Sequence, residues 1–188
     1  MAKKAKSTLI NMLLSLTLIA LVAAAALAFV NKVTKGPIAD AQEQKKVDAT
    51  KAVLPPFEKL DKAIVGNDTI TKAFDAEGHL VGIAVGASSE KGFGGRLGLM
   101  VGFDTTGAIS GYQVLETSET PGLGAKAGTW FQKEGKGCVI GKNAADGFKV
   151  KKDGGDVDAI SGSTITSRAF CEAINNAYQI FGKLRIEN

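Results

Sequence analysis

The segment DAISGSTITSRAF, residues 158–170, sets Ser161, Gly162, Ser163, Thr164, Thr166 and Ser167 at the head of an apolar-periodic run. Hydroxyls in that position do one of two things. They cap a helix, accepting bonds from backbone N–H groups that have no partner in the first turn. Alternatively, those same N–H groups and the partial positive charge of the helix start receive a phosphate, with Gly162 letting the backbone come close. Residue types alone leave both readings open.

A second stretch, SETPGLGAK at residues 118–126, has the composition of a shaped loop. Pro121 fixes one backbone angle, and Gly122 and Gly124 release two others. Such a loop can turn backbone N–H groups into a concavity with Glu119 and Thr120 at its lip; an ordinary connecting loop is the alternative. Other chemistries are poorly supplied. His79 is the only histidine, so no His-rich metal site and no convincing Ser–His–Asp triad can form. Cys138 and Cys171 are too few for a zinc cluster, although outside the cytoplasm they could form one disulfide. GFGGRLG, residues 92–98, does not fit the G-x-G-x-x-G spacing and leads into strand-like residues, so it reads as a glycine-rich bend.

These segments need a scaffold. Residues 9–30 contain no charge. At ~1.5 Å per residue a helix of that length reaches about 33 Å, enough to cross a ~30 Å hydrocarbon core. Lys3, Lys4 and Lys6 precede it, which places the amino terminus in the cytoplasm and the remainder across the membrane. A cleavable signal peptide is the competing reading, but the apolar run is longer than a signal core. Residues 31–68 read as a stalk or linker, with a helix leading from the membrane at its start. Residues 69–116 read as an antiparallel meander, with turns at residues 75–78 and 104–107. Gly86, Gly92, Gly94, Gly95, Gly98 and Gly102 mark bulges or close approaches within it. Phe170, Ala173, Ile174, Ala177, Tyr178 and Phe181 form one face of a helix over residues 164–184, with Gly182 at its carboxyl end.

The net charge of +4 includes the three amino-terminal lysines, so the rest of the chain is nearly neutral. No basic patch interleaved with aromatics follows, and no nucleic-acid partner is expected.

DAISGST resembles the flavinylation motif of the FMN-binding domain in the RnfG and NqrC components of ion-translocating respiratory complexes. The motif's Asp, Ser, Gly, small residue and final hydroxyl are Asp158, Ser161, Gly162, Ser163 and Thr164, with Ser163 in place of the usual Ala. SETPGLGAK is similar to the family's second signature; Thr117 stands where many relatives carry His. The likeness covers about residues 70–181, and the short chain is most like RnfG, the G component of the Rnf complex.

The resemblance implies an α+β fold: an antiparallel-sheet FMN-binding domain, residues 69–188, with packed helices, preceded by one transmembrane helix, residues 9–30, and a cytoplasmic tail, residues 1–8. It implies FMN bound covalently to Thr164 through a phosphoester, with Ser161, Gly162, Ser163, Glu119, Thr120, Leu123 and Gly124 around it. Asp158 would orient the acceptor for a flavin transferase or act as a cap. The implied role is a subunit of an ion-translocating oxidoreductase, single-pass in the inner membrane with its flavin domain on the extracytoplasmic side. There it would carry electrons between ferredoxin and NAD, coupled to Na⁺ or H⁺ movement. Its partners would be the other subunits, the transferase and membrane lipid. An NqrC-like subunit of a quinone-reducing sodium pump and a non-redox anchored binding module are the rival readings.

Overall fold

The computed structural model describes residues 8–65, 68–145 and 147–187. The amino-terminal lysines on which the orientation expectation rests lie outside the described residues. The chain divides into two compact units, one up to Gln44 and one from Lys45 onward.

Helix α1, Leu9–Val53, begins in the first unit and ends in the second. Its apolar stretch is exposed on every side, with Leu13, Leu14, Leu21, Leu27 and Phe29 all more than 60% exposed. A helix apolar all round and exposed in this way suits a lipid environment better than water. By length and composition it can cross a membrane.

In the second unit, β1 (Lys59–Val65), β2 (Asp68–Phe74), β3 (Leu80–Gly92), β4 (Gly95–Asp104) and β5 (Ile109–Thr117) form one sheet in sequence order, every pair antiparallel. Both expected hairpin turns form, closed by Gly78 N–H to the Asp75 carbonyl and Gly107 N–H to the Asp104 carbonyl. The sheet starts earlier than the sequence suggests. β1 lies inside residues 31–68, read above as a stalk or linker, because its KLDKAIV pattern gains its ladder only by pairing with β2.

β4 shows what holds the sheet in place. Leu97, Leu99, Val101 and Phe103 point to one face and join the main core, whereas Met100 points to the other and meets Ala49 and Val53 at the end of α1. With both faces covered, β4 is buried from Leu97 to Phe103. Gly102 permits the second contact, since a Cβ there would lie 2.0 Å from the Val53 carbonyl oxygen. Ser110 Oγ donates to the same carbonyl at 2.6 Å. Of the six glycines expected to mark irregularities, Gly92, Gly98 and Gly102 border register shifts. Gly94 lies in the β3–β4 hairpin turn, where a Cβ would be 2.1 Å from the Ser118 carbonyl oxygen; Gly95 opens β4 opposite Gly92, and Gly86 pairs regularly with Met100.

After β5 the chain leaves the sheet for a long irregular stretch that includes a short helix, α2 (Ala127–Trp130), and a 3-10 turn at Lys151–Asp153. Helix α3, Thr164–Glu187, then packs across β3 and β4. The expected stripe is the face it buries. Phe181 lies 5.0 Å from Phe103 between ring centroids, and Phe170 stacks on Phe131 at 4.0 Å. Each such ring contributes about 1.5–3 kcal/mol through burial. Gly182 does not end the helix. The helix continues to Glu187, because Ile180, Phe181 and Leu184 remain buried against the core on either side of it.

Candidate functional site

The hydroxyl-rich segment divides into buried and accessible members. Ser167 Oγ donates to the Ser163 carbonyl and accepts from Ile160 N–H, both at 2.9 Å. The serine that ties the turn together is therefore inside the helix, four residues past Ser163. Thr166, also buried, donates to Glu119 Oε2 at 2.8 Å. Gly162 sits at φ 77°, a left-handed angle that carries the chain round into α3. Thr164, the first residue of α3, is half-buried, and its hydroxyl oxygen accepts from Lys152 Nζ at 3.4 Å.

Asp158 is committed elsewhere. Its carboxylate accepts from Lys151 Nζ at 2.8 Å, and its carbonyl accepts from Trp130 Nε1 at 2.8 Å. These bonds fasten the start of the motif to α2 and to the 3-10 turn.

The loop at residues 118–126 folds onto this helix start. Thr117 Oγ1 accepts from Glu119 N–H at 3.2 Å and turns the chain inward. The Glu119 side chain then enters a socket bounded by Gly92 and Gly124. A Cβ on Gly124 would lie 2.4 Å from Glu119 Oε2, and one on Gly92 would lie 2.7 Å from Oε1. Oε1 is buried and has no hydrogen-bond partner among the described residues. Part of the loop's backbone donors is spent inside the loop. Leu123 N–H and Ala125 N–H both bond to the Thr120 carbonyl, because the chain tightens there into a 3-10 turn.

Between these two segments lies a cavity of about 370 Å³, lined by Phe93, Glu119, Thr120, Leu123, Gly124, Lys152, Gly162, Ser163, Thr164, Ile165 and Thr166. Seven of the eight residues singled out in the sequence meet there. Ser161 is exposed and is not in the lining. Sequence reasoning passed over Phe93, Lys152 and Ile165. Phe93 is 72% exposed at the tip of the β3–β4 hairpin, and Leu123 and Ile165 are about half exposed. The only signals were an aromatic between glycines and a basic run, KVKK, shortly before the motif.

The residues fit a flavin nucleotide. A reachable hydroxyl stands at the N-terminus of a long helix beside a lysine, which suits a phosphate. Three exposed apolar side chains offer flat contact to a ring. The orphaned Glu119 oxygen is an acceptor in need of a donor. The volume lies within the ~300–1,000 Å³ common for small-molecule sites.

The cysteines form no disulfide. Cys138 and Cys171 are both free; Cys171 is buried in the core under α3, and burial pushes its thiol up to about 12. Asp75, Glu77 and His79 gather on the β2–β3 turn, where Asp75 bonds to His79 and its carboxyl is held below the usual range chiefly by the His79 N–H.

Residues 92–179 match the FMN-binding domain family. The chain is 31% identical over 192 residues to the G subunit of the Na⁺-translocating ferredoxin:NAD⁺ oxidoreductase complex of Acetobacterium woodii, covering 91% of this chain and 90% of that protein. It is 34% identical over 194 residues to the G subunit of the ion-translocating oxidoreductase complex of Pseudomonas aeruginosa, covering 94% and 89%. The match to the corresponding protein of Shewanella baltica is higher, at 39%, but spans 65% of this chain and 60% of that protein. Among solved structures, NqrC of Shewanella oneidensis aligns over 73% of this chain and 74% of its own, at 21% identity and a TM-score of 0.46.

Proposed function

Because the chain belongs to the family of G subunits of ion-translocating oxidoreductase complexes, we propose that it is a membrane-anchored electron carrier whose FMN is esterified to Thr164. In this reading it relays electrons inside a complex that links ferredoxin and NAD to Na⁺ or H⁺ movement. The observation that carries the reading is the cavity on which the Thr164 helix start and the Glu119 loop converge.

FMN would supply the redox chemistry, and the protein's part is to hold and orient it. A phosphodiester on Thr164 retains one negative charge. The helix start stabilises such a charge by only ~0.3–1 kcal/mol. Retention by affinity alone would need roughly nanomolar binding, about 12 kcal/mol, and the cofactor would still exchange. An ester bond removes that demand, which suits a domain on the extracytoplasmic side of the membrane. Phe93, Leu123 and Ile165 would pack against the ring, and Glu119 would accept a hydrogen bond from its polar edge. α1 is the anchor, with its amino terminus in the cytoplasm. The apolar stretch of α1, residues 9–30, carries no Asp, Glu, Lys or Arg. The ion path therefore belongs to other subunits.

Attachment requires a flavin transferase and FAD. The Thr164 oxygen bonds to the flavin-side phosphorus, the diphosphate bridge breaks, AMP leaves with the bond pair, and the hydroxyl proton passes to a base on the transferase. The test is intact mass and peptide mapping of the full chain after reaction with transferase and FAD. FMN should appear on the peptide containing Thr164, persist in Ser163→Ala and vanish in Thr164→Val. An equally labelled Thr164→Val would overturn the acceptor assignment, and an unlabelled wild type would favour a non-redox binding module.

A further inference from the structure

The geometry points to Lys152 as the residue that holds the phosphate during and after flavin transfer, a role that rests on Thr164 being the acceptor. Lys151, Lys152 and Asp153 form one 3-10 turn, and each neighbour of Lys152 is already engaged. Lys151 pairs with Asp158 at 2.8 Å, just before the acceptor segment. Asp153 takes a two-pronged bond from Arg168 Nε and Nη2, each at 2.7 Å, one turn into α3 beyond Thr164. The two pairs clamp the turn on either side of the acceptor. The residue between them is directed at the Thr164 oxygen, 3.4 Å from its Nζ. Among the described residues, no carboxylate lies within ion-pair distance of Lys152.

A lysine directed at a neutral hydroxyl, with its neighbouring charges both satisfied, gains little in the unmodified protein. The 3.4 Å contact is longer than the ~2.7–3.2 Å of an ordinary N–H···O bond. The arrangement makes sense once an anion arrives. As the hydroxyl attacks FAD, the phosphoryl oxygens come within reach of Nζ, which offsets the negative charge at the reacting phosphorus and then remains as the counter-ion of the diester. The helix start supplies partial charges and Lys152 a full one. Arg168 and Lys151, held by their own carboxylates, do not compete for the site.

The experiment follows covalent FMN on the full chain, by in-gel fluorescence and intact mass, at limiting transferase and FAD. Lys152→Met should slow labelling at least about tenfold, the factor a single charge-assisted hydrogen bond is worth. Lys152→Glu should be slower still, and Lys152→Arg should recover most of the rate. The wild-type rate should fall with added salt more steeply than that of Lys152→Met. Thermal unfolding of the unlabelled proteins should be the same for all four, because Lys152 is exposed. Wild-type rates in Lys152→Met and Lys152→Glu would overturn the proposal, as would an Arg variant as slow as Met or a matching loss of thermal stability. Thr164→Val is the control for the underlying reading. Label surviving there refutes the acceptor, whereas a blank Thr164→Val beside a fully labelled Lys152→Glu refutes only the lysine.

Discussion

Thr166 Oγ1 donates to Glu119 Oε2 at 2.8 Å, joining residues 47 positions apart. This bond fixes the loop after β5 to the first turn of α3. The other carboxylate oxygen of Glu119 is buried on the cavity wall with no partner among the described residues. Replacing Thr166 by Val keeps the shape and removes the donor, so neither carboxylate oxygen then has a hydrogen bond from the protein. The expected cost is about 1–3 kcal/mol, the usual penalty for stranding a buried polar group. Chemical denaturation of the unlabelled protein in detergent checks it. Bound flavin that donates to Glu119 should reduce the loss in the labelled protein.

Gly124→Ala should be worse than a surface change of that size. The added Cβ would lie 2.4 Å from Glu119 Oε2 and 2.7 Å from Thr166 Oγ1. The Glu119 side chain must move and the Thr166 bond must break, at about 1–3 kcal/mol, as for other overpacked sites. Denaturation midpoint and the extent of FMN incorporation should fall together.

Phe181→Ala tests the packing that seats the acceptor helix. Phe181 is 2% exposed and packs against Phe103 and Tyr178. A loss of about 3–5 kcal/mol is expected in equilibrium unfolding. The variant that still folds should label slowly, since α3 carries Thr164 at its far end.

Glu172 gives an acid limb to stability. Lys91, then Ser89, bond to its carboxylate and hold it below the usual value of 4.5. A carboxyl depressed in the folded state contributes its full stability above its unfolded value. That stability is lost as pH falls through the lower folded value. Glu172→Gln should therefore be less stable than wild type at neutral pH and converge with it in acid, as read by unfolding midpoints from about pH 7 down to about pH 2.

Cys171 should resist thiol reagents. Its burial and its pKa of about 12 leave almost no thiolate near neutral pH. Maleimide labelling of the native full chain should reach half-buried Cys138 and spare Cys171, and both should react after denaturation. A non-reducing gel should show no mobility shift on adding reductant.

Much of this architecture follows from local rules. An uncharged run long enough to span a bilayer declares α1. Turn residues at 75–78 and 104–107 declare two hairpins, because each turn closes on its own backbone. The spacing from Phe170 to Phe181 declares the buried face of α3, because a period of about 3.6 leaves one stripe whatever the partner. β1 is hidden because a seven-residue strand with lysines and an aspartate acquires its identity from β2 alongside it. Gly182 has the marks of a stop, but burial of Phe181 and Leu184 outweighs roughly 1 kcal/mol of glycine's helix penalty.

The sequence by itself determined α1, the two hairpins, α3 and the two segments that meet at the site, since periodicity, turn chemistry and a short motif are properties of neighbours along the chain. Only the tertiary structure decided which hydroxyls stay available. It buried Thr166 and Ser167 in bonds and left Thr164 at the cavity. It used the Leu123 and Ala125 N–H groups of the loop internally, set a buried glutamate on the cavity wall, and brought Lys152 to the acceptor. The Thr166–Glu119 bond joins residues 47 positions apart and the Lys152–Thr164 contact residues 12 apart; pairings across such separations leave no period in the sequence to read.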